Sequence, residues 1–168
     1  KMNTMRKFNT KNKLTDKEIK DLVRLLKKVR LPAPYPVFTA LCKSVPLIAV
    51  DIALMPDKNR VLLTYRKDEF YDGWHIPGVI LRSDESVESA LKRAAKIELG
   101  ISIANARKNF VHYFSYKDKR EYGIALLFAV RSRSRPKDGK YFSLSRLPKK
   151  FIKAQLPEIE YLKKFKFN

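Results

Sequence analysis

Residues 73 to 101 read GWHIPGVILRSDESVESALKRAAKIELGI, and the second half of that stretch is a helix with both ends marked. Ser86 stands where an N-cap belongs, because a serine hydroxyl accepts a hydrogen bond from a backbone N–H of the first turn. Gly100 stands where helices end in left-handed backbone. The spacing predicts a helix over 86–99. At about 100° per residue from Val87, Ala90, Leu91, Ala94, Ala95 and Ile97 fall within roughly 80°, while Lys92, Arg93 and Lys96 fall outside. One stripe of this helix is therefore buried, and Glu98, about 20° from Val87, lies in the middle of it. A carboxylate there needs a cation, a metal or a proton, unless the helix end emerges into water; a salt bridge to Arg or Lys would also satisfy it.

Moving outward, Pro46 to Met55 is β-branched and apolar, Pro56 to Asn59 supplies turn residues, and Arg60 to Tyr65 alternates, which predicts a strand pair or hairpin. Further strands are expected at 109–116 and 122–131, separated by the charged turn 117–121, with a shorter one near 140–143. Thr15 and Glu18 form a capping box before Ile19, Leu22, Val23, Leu25, Leu26 and Val29, which predicts an N-terminal helix over 15–30. Pro32, Pro34 and Pro36 make a stiff connector, and 38–44 has the makings of a short second helix. A proline near its start marks a last helix over 157–167. The expectation is a mixed sheet with helices packed on it, in one domain over 15–168 preceded by a basic arm, 1–14.

Bulk composition narrows the classes. The chain of 168 residues is 45% hydrophobic and 32% charged, which describes a globular domain with one sizeable core. Cys42 is the single cysteine, so no intrachain disulfide forms, and with His75 and His112 as the two histidines a Cys/His zinc site is excluded. No apolar run is long enough to span a bilayer, and the expected location is cytoplasmic. The 37 Lys and Arg against 17 Asp and Glu give a net charge of +20, a field that attracts polyanions without identifying them. Arg131, Arg133 and Arg135 alternate with serines after a strand; if extended, they would point to one side and track phosphates. A solvated edge strand protected by charge is the plainer reading of the same residues.

Gly78, Glu85, Arg93, Glu98 and Gly100, with the lead-in from Gly73, resemble the Nudix box and its flanking loop. The family pattern lies without a gap on 79–101. Its first glycine falls on Val79, the glutamate after its arginine on Ala94, and the first member of its Glu-Glu pair on Ile97. The resemblance implies an α/β fold, an α/β/α sandwich with a mixed sheet and the Nudix helix over 86–99. In this reading Glu85 and Arg93 brace the loop onto the helix. Typical members gather Mg²⁺ or Mn²⁺ on three helix carboxylates against a diphosphate. With Glu98 alone remaining, a single hard cation is the expectation.

The same thinning marks the GDP-mannose mannosyl hydrolases, whose helix and first strand resemble residues 38–51. That branch implies a metal on the Gly78 carbonyl and Glu98, nucleotide contacts from Asp51 and Arg66, and His112 and Tyr122 near the diphosphate and leaving sugar. It also carries a Gln-His pair where this chain has Arg135 to Lys140, with Asp138 the only acid there. The catalytic candidates are therefore Arg66, His112 and Asp138. Two functions follow as expectations: a Mg²⁺- or Mn²⁺-dependent hydrolase of a nucleoside diphosphate sugar, or a Nudix fold that binds nucleotide or RNA without turnover. A homodimer is compatible with either, and no membrane partner is expected.

Overall fold

The computed structural model describes residues 14–30, 32–117 and 122–167; most of the expected basic arm (1–13) and of the charged turn (118–121) lies outside them. Contacts divide the chain into two compact units with the boundary between Pro34 and Tyr35. The first holds α1 (Asp16–Leu26). Its capping box forms as the sequence predicts, Glu18 N–H donating to Thr15 Oγ1 at 3.3 Å and Thr15 N–H to Glu18 Oε2 at 2.7 Å. The helix is shorter than the expected 15–30, because the backbone leaves it in a turn at Lys27.

The second unit contains α2 (Tyr35–Ser44), β1 (Leu47–Leu54), β2 (Arg60–Lys67), β3 (Asp72–His75), β4 (Gly78–Ile80), α3 (Val87–Leu99), β5 (Arg107–Lys117), β6 (Tyr122–Arg131), β7 (Lys140–Ser143) and α4 (Leu156–Lys164). α2 starts earlier than expected and carries Pro36 in its first turn, where a missing N–H costs nothing. Four strands form a mixed sheet in the order β4-β1-β6-β5, parallel between β1 and β6, and three form a second sheet, β3-β2-β7.

Of the strand pair or hairpin expected from 46–65, both strands form, but they do not share a ladder. Both edges of β1 are occupied, by β4 and β6, so β2 pairs with β3 and β7. Alternation along β1 then divides the core. Val50, Ile52 and Leu54 pack with Ala90, Leu91, Ala94 and Leu99 of α3, while Ala53 and Met55 pack on the other face with Ile159 and Leu162 of α4. The fold is thus the expected α/β arrangement, with α3 and α4 on opposite faces of β1.

Candidate functional site

Both ends of α3 are closed by the residues that predicted them. Ser86 Oγ accepts from Ser89 N–H at 3.1 Å, and Gly100 (φ +64°) turns the chain so that its N–H reaches Lys96 O at 3.2 Å. Arg93 Nε donates to Glu85 Oε2 at 3.1 Å and Arg93 Nη2 to Glu85 Oε1, with a further bond from Arg93 Nη2 to Ile80 O at 2.9 Å. Glu85 Oε1 also accepts from Arg82 N–H at 3.0 Å. This pair locks the loop after β4 onto the middle of the helix.

Along the helix the expected stripe holds except at Ile97, which is 61% exposed. At one turn from the C-terminus the apolar face narrows, and Ile97, near the margin of the predicted arc, falls outside the contact. Ala94 is fully buried where the family pattern has a glutamate. Glu98 is half-buried and makes no hydrogen bond or ion pair with the described residues. Burial raises its pKa above the ordinary glutamate value; Arg66 pulls it down and Asp138 pushes it up. Those opposing effects bring three of the sequence candidates, Glu98, Arg66 and Asp138, into one electrostatic neighbourhood.

Arg66 comes from the end of β2, on the same side of the strand as Leu62 and Thr64. Its Nε donates to Asp68 Oδ2 at 2.5 Å and its guanidinium lies 4.8 Å from the Tyr71 ring centroid, two contacts that fix the orientation of the group. Opposite Thr64 in the ladder is His75, whose Nε2 lies 3.1 Å from Thr64 Oγ1. Burial, helped by Arg66, depresses the His75 pKa to about 4, so its ring is neutral at physiological pH. Asp138 reaches the site because its loop docks on the end of α3: Lys137 N–H donates to Leu99 O at 2.9 Å. Asp138 Oδ1 accepts from Gly139 N–H at 2.6 Å.

Gly78 faces Asp51 across the β1–β4 ladder, and a Cβ at Gly78 would collide with Asp51 Oδ1. Ile52 N–H donates to Pro77 O and Leu81 N–H to Ile48 O, each at 2.8 Å, which makes Asp51 and Gly78 a non-hydrogen-bonded pair. The Gly78 carbonyl therefore points away from β1, toward the open edge of the sheet. Among the described residues no group of three or more His, Cys, Asp or Glu is arranged to hold a metal ion. A half-buried carboxylate without a partner, a second carboxylate nearby and an outward carbonyl suit one hard cation completed by ligand or water oxygens.

Other candidates lie elsewhere. Asp51 shares the α4 face of β1, is 6% exposed, and sits close enough to Glu158 of α4 to raise that acid's pKa. His112, beside a bulge in β5, stacks on Tyr161 of α4 with ring centroids 4.5 Å apart. Tyr122 begins β6 opposite Lys117 and is exposed. Arg131 ends β6, and the backbone bends at 133–134, so the extended run anticipated for Arg131, Arg133 and Arg135 is not realised. Its physical cause is local: Ser134 N–H donates to Ser132 Oγ at 3.1 Å, closing a turn. Glu158 and Gln155, which bonds both backbone groups of Ile76, went unnoticed in the sequence because their burial follows from the docking of α4.

A family model described as NUDIX domain matches residues 45–162. Among solved structures, the chain is similar to a MutT NUDIX hydrolase from Burkholderia pseudomallei (TM-score 0.61, 24% identity, 70% of this chain and 98% of that one). It is also similar to a MutT protein from Methanosarcina mazei (TM-score 0.57, 18% identity, 71% and 92%). At such identities both describe the fold. A curated relative, the low-salt glycan biosynthesis protein Agl8 of Haloferax volcanii, is 32% identical over 82 residues, which are 47% of this chain and 52% of that protein. The chain thus spans about half the length of that relative.

Proposed function

The chain belongs to the Nudix hydrolase family, and on that premise we propose that it hydrolyses a nucleoside diphosphate linked to another group, a nucleotide sugar. What supports this reading is that Arg66 and Asp138 both act electrostatically on Glu98, whose helix end carries the docked 137–138 loop. Nudix hydrolases generally use a divalent metal such as Mg²⁺ or Mn²⁺, and here Glu98 and the Gly78 carbonyl would hold it; when bound, it supplies charge neutralisation for the diphosphate. Ala94 and Ile97 stand where typical members have carboxylates, so a metal cluster able to stabilise attack at phosphorus is missing. The remaining groups suit a departing diphosphate.

In the proposed reaction Arg66 binds the diphosphate oxygens and stabilises the negative charge that grows on them. A water oxygen forms a bond to the sugar carbon as the carbon–oxygen bond to the diphosphate breaks, and that electron pair stays on the diphosphate oxygen. Asp138 Oδ2 takes the water proton, its Oδ1 being engaged by Gly139 N–H. Asp138 is preferred to His112 as base because the His112 ring is packed against Tyr161. Asp51 and Tyr122 have no part in this proposal. The name of the Haloferax relative, a glycan biosynthesis protein, is in keeping with a sugar substrate.

The test is hydrolysis of a panel of nucleoside diphosphate sugars with Mg²⁺ in ¹⁸O-labelled water. The expected result is label in the sugar and none in the nucleoside diphosphate, with kcat falling about a hundredfold or more in Glu98→Gln. Label in phosphate would reject cleavage at carbon while leaving the family unaffected. Nucleotide binding with no turnover anywhere in the panel would favour the alternative, a Nudix module that binds nucleotide or RNA, in keeping with the missing Gln-His pair and the thinned helix acids.

A further inference from the structure

Apart from the Glu98 site, an open surface concavity of about 760 Å³ lies between the loop after α3 and the end of β6. Its walls carry Arg107, Arg131 and Arg133, with Ser102, Asn105 and Ser132 between them, and no acidic residue lines it. Arg66, Gly78, Glu98 and Asp138 are absent from its lining.

Arg107 and Arg131 are direct partners across the β5–β6 ladder. Like charges in that position repel, since facing side chains on neighbouring strands stand about 5 Å apart at Cβ. Elsewhere in the described residues, Arg24, Arg60, Arg66 and Arg93 each have a carboxylate at ion-pair distance, while Arg30, Arg82, Arg135 and Arg146 stand apart from one another without one. Arg107, Arg131 and Arg133 have none. Arg131 is held over the Phe167 ring at 4.3 Å, a contact that fixes the guanidinium and leaves its charge unmatched. The two walls are tied by Ser134 Oγ donating to Ser102 O at 3.2 Å, so the cleft is built before any ligand arrives.

Three exposed arginines, with hydroxyl and amide donors between them, line an open concavity whose volume lies within the roughly 300–1,000 Å³ of small-ligand sites, a surface suited to concentrated negative charge. We propose that this cleft binds a compact polyphosphate group, a di- or triphosphate, at a site separate from the Glu98 centre. Guanidinium forks match phosphate oxygens in pairs, and an anion between Arg107 and Arg131 converts their repulsion into shared attraction. The bend at 133–134 leaves Arg135 out of the lining, so the arginines do not form a linear track, and a compact ligand is favoured over a long one.

The proposal is independent of the catalytic reading and is tested without metal. Inorganic triphosphate is titrated calorimetrically into the full chain in EDTA at about 50 mM salt, where charge contacts are strong. Parent is compared with an Arg107→Gln/Arg133→Gln double variant and with Arg66→Gln, and thermal unfolding verifies that all three are folded. The expected result is a loss of about tenfold or more in affinity for the double variant and less than about twofold for Arg66→Gln. Equal binding by parent and double variant overturns the site, as does a comparable loss in Arg66→Gln, which would put the ligand at the Glu98 centre. A parallel titration with a short single-stranded oligonucleotide separates the sources of phosphate: binding of the oligonucleotide alone, without triphosphate, also overturns the compact-ligand proposal and points to a nucleic-acid surface.

Discussion

Glu158 Oε2 sits in the interior of the second unit without a hydrogen-bond partner, and the Asp51 carboxylate acts on it electrostatically. Burial first, and Asp51 second, push the Glu158 pKa well above the usual glutamate value of 4.5. The folded state therefore keeps a proton that the unfolded chain releases near pH 4.5, and stability falls as pH rises from there toward the folded value. Replacing Glu158 with Gln removes this titration at nearly constant shape. The expected outcome is a variant more stable than the parent by about 1–3 kcal/mol at pH 8 and nearly equal to it at pH 4, measured by urea unfolding at each pH. A variant less stable than the parent at pH 8 would mean that Glu158 is held ionised by a group that its surroundings do not reveal.

At the scale of elements, α3 and the loop before it behave as one piece because the Glu85–Arg93 pair spans both. Their side chains are 12% and 19% exposed, and Arg93 also donates to Ile80 O. Removing Arg93 leaves Glu85 with the Arg82 N–H as its one remaining donor and takes a donor from the Ile80 carbonyl, a larger effect than losing a solvated surface pair. Arg93→Ala is expected to destabilise the fold by about 2–3 kcal/mol in urea unfolding at neutral pH. If the change were below about 0.5 kcal/mol, the pair would be no more than a surface contact. The same locking carries a functional consequence, since the loop begins at β4, whose Gly78 carbonyl faces the open edge near the proposed cation site.

For the whole molecule, 37 basic against 17 acidic residues leave a net charge of +20, and such a charge repels itself most strongly when the chain is compact. Screening should therefore stabilise the fold. Raising potassium chloride from about 20 to about 200 mM is expected to raise the urea midpoint, with most of the gain complete by about 150 mM, where the Debye length is near 8 Å. A midpoint that falls over this range would show that attractive ion pairs outweigh the repulsion. A gain that begins only at molar salt would instead reflect general salting-out. The distribution matters as much as the sum: the polyphosphate cleft gathers three of these charges where no acid offsets them, whereas the Glu98 centre sets one arginine against two carboxylates.

What could be read from the sequence alone was local in its physics. The caps Ser86 and Gly100, the spacing of Ala90, Leu91, Ala94 and Ala95, and the reach from Glu85 to Arg93 all act within a few turns of one helix, so their outcome depends little on where other strands go. Glu98 was legible for the same reason, as a charge at an apolar angle. Its neighbours were not. Asp138 joins Glu98 because Lys137 bonds Leu99, β2 leaves β1 because β4 and β6 occupy both of its edges, and Asp51 turns from the Arg66 side because its strand position faces α4. Each of these depends on pairing between segments far apart in the chain, where side-chain alternation specifies two faces and only the packed elements decide which face meets which partner. The arginine cleft is of that kind: sequence alternation suggested a line, and the turn closed by Ser132 and Ser134 with the register of β5 on β6 made it a pocket.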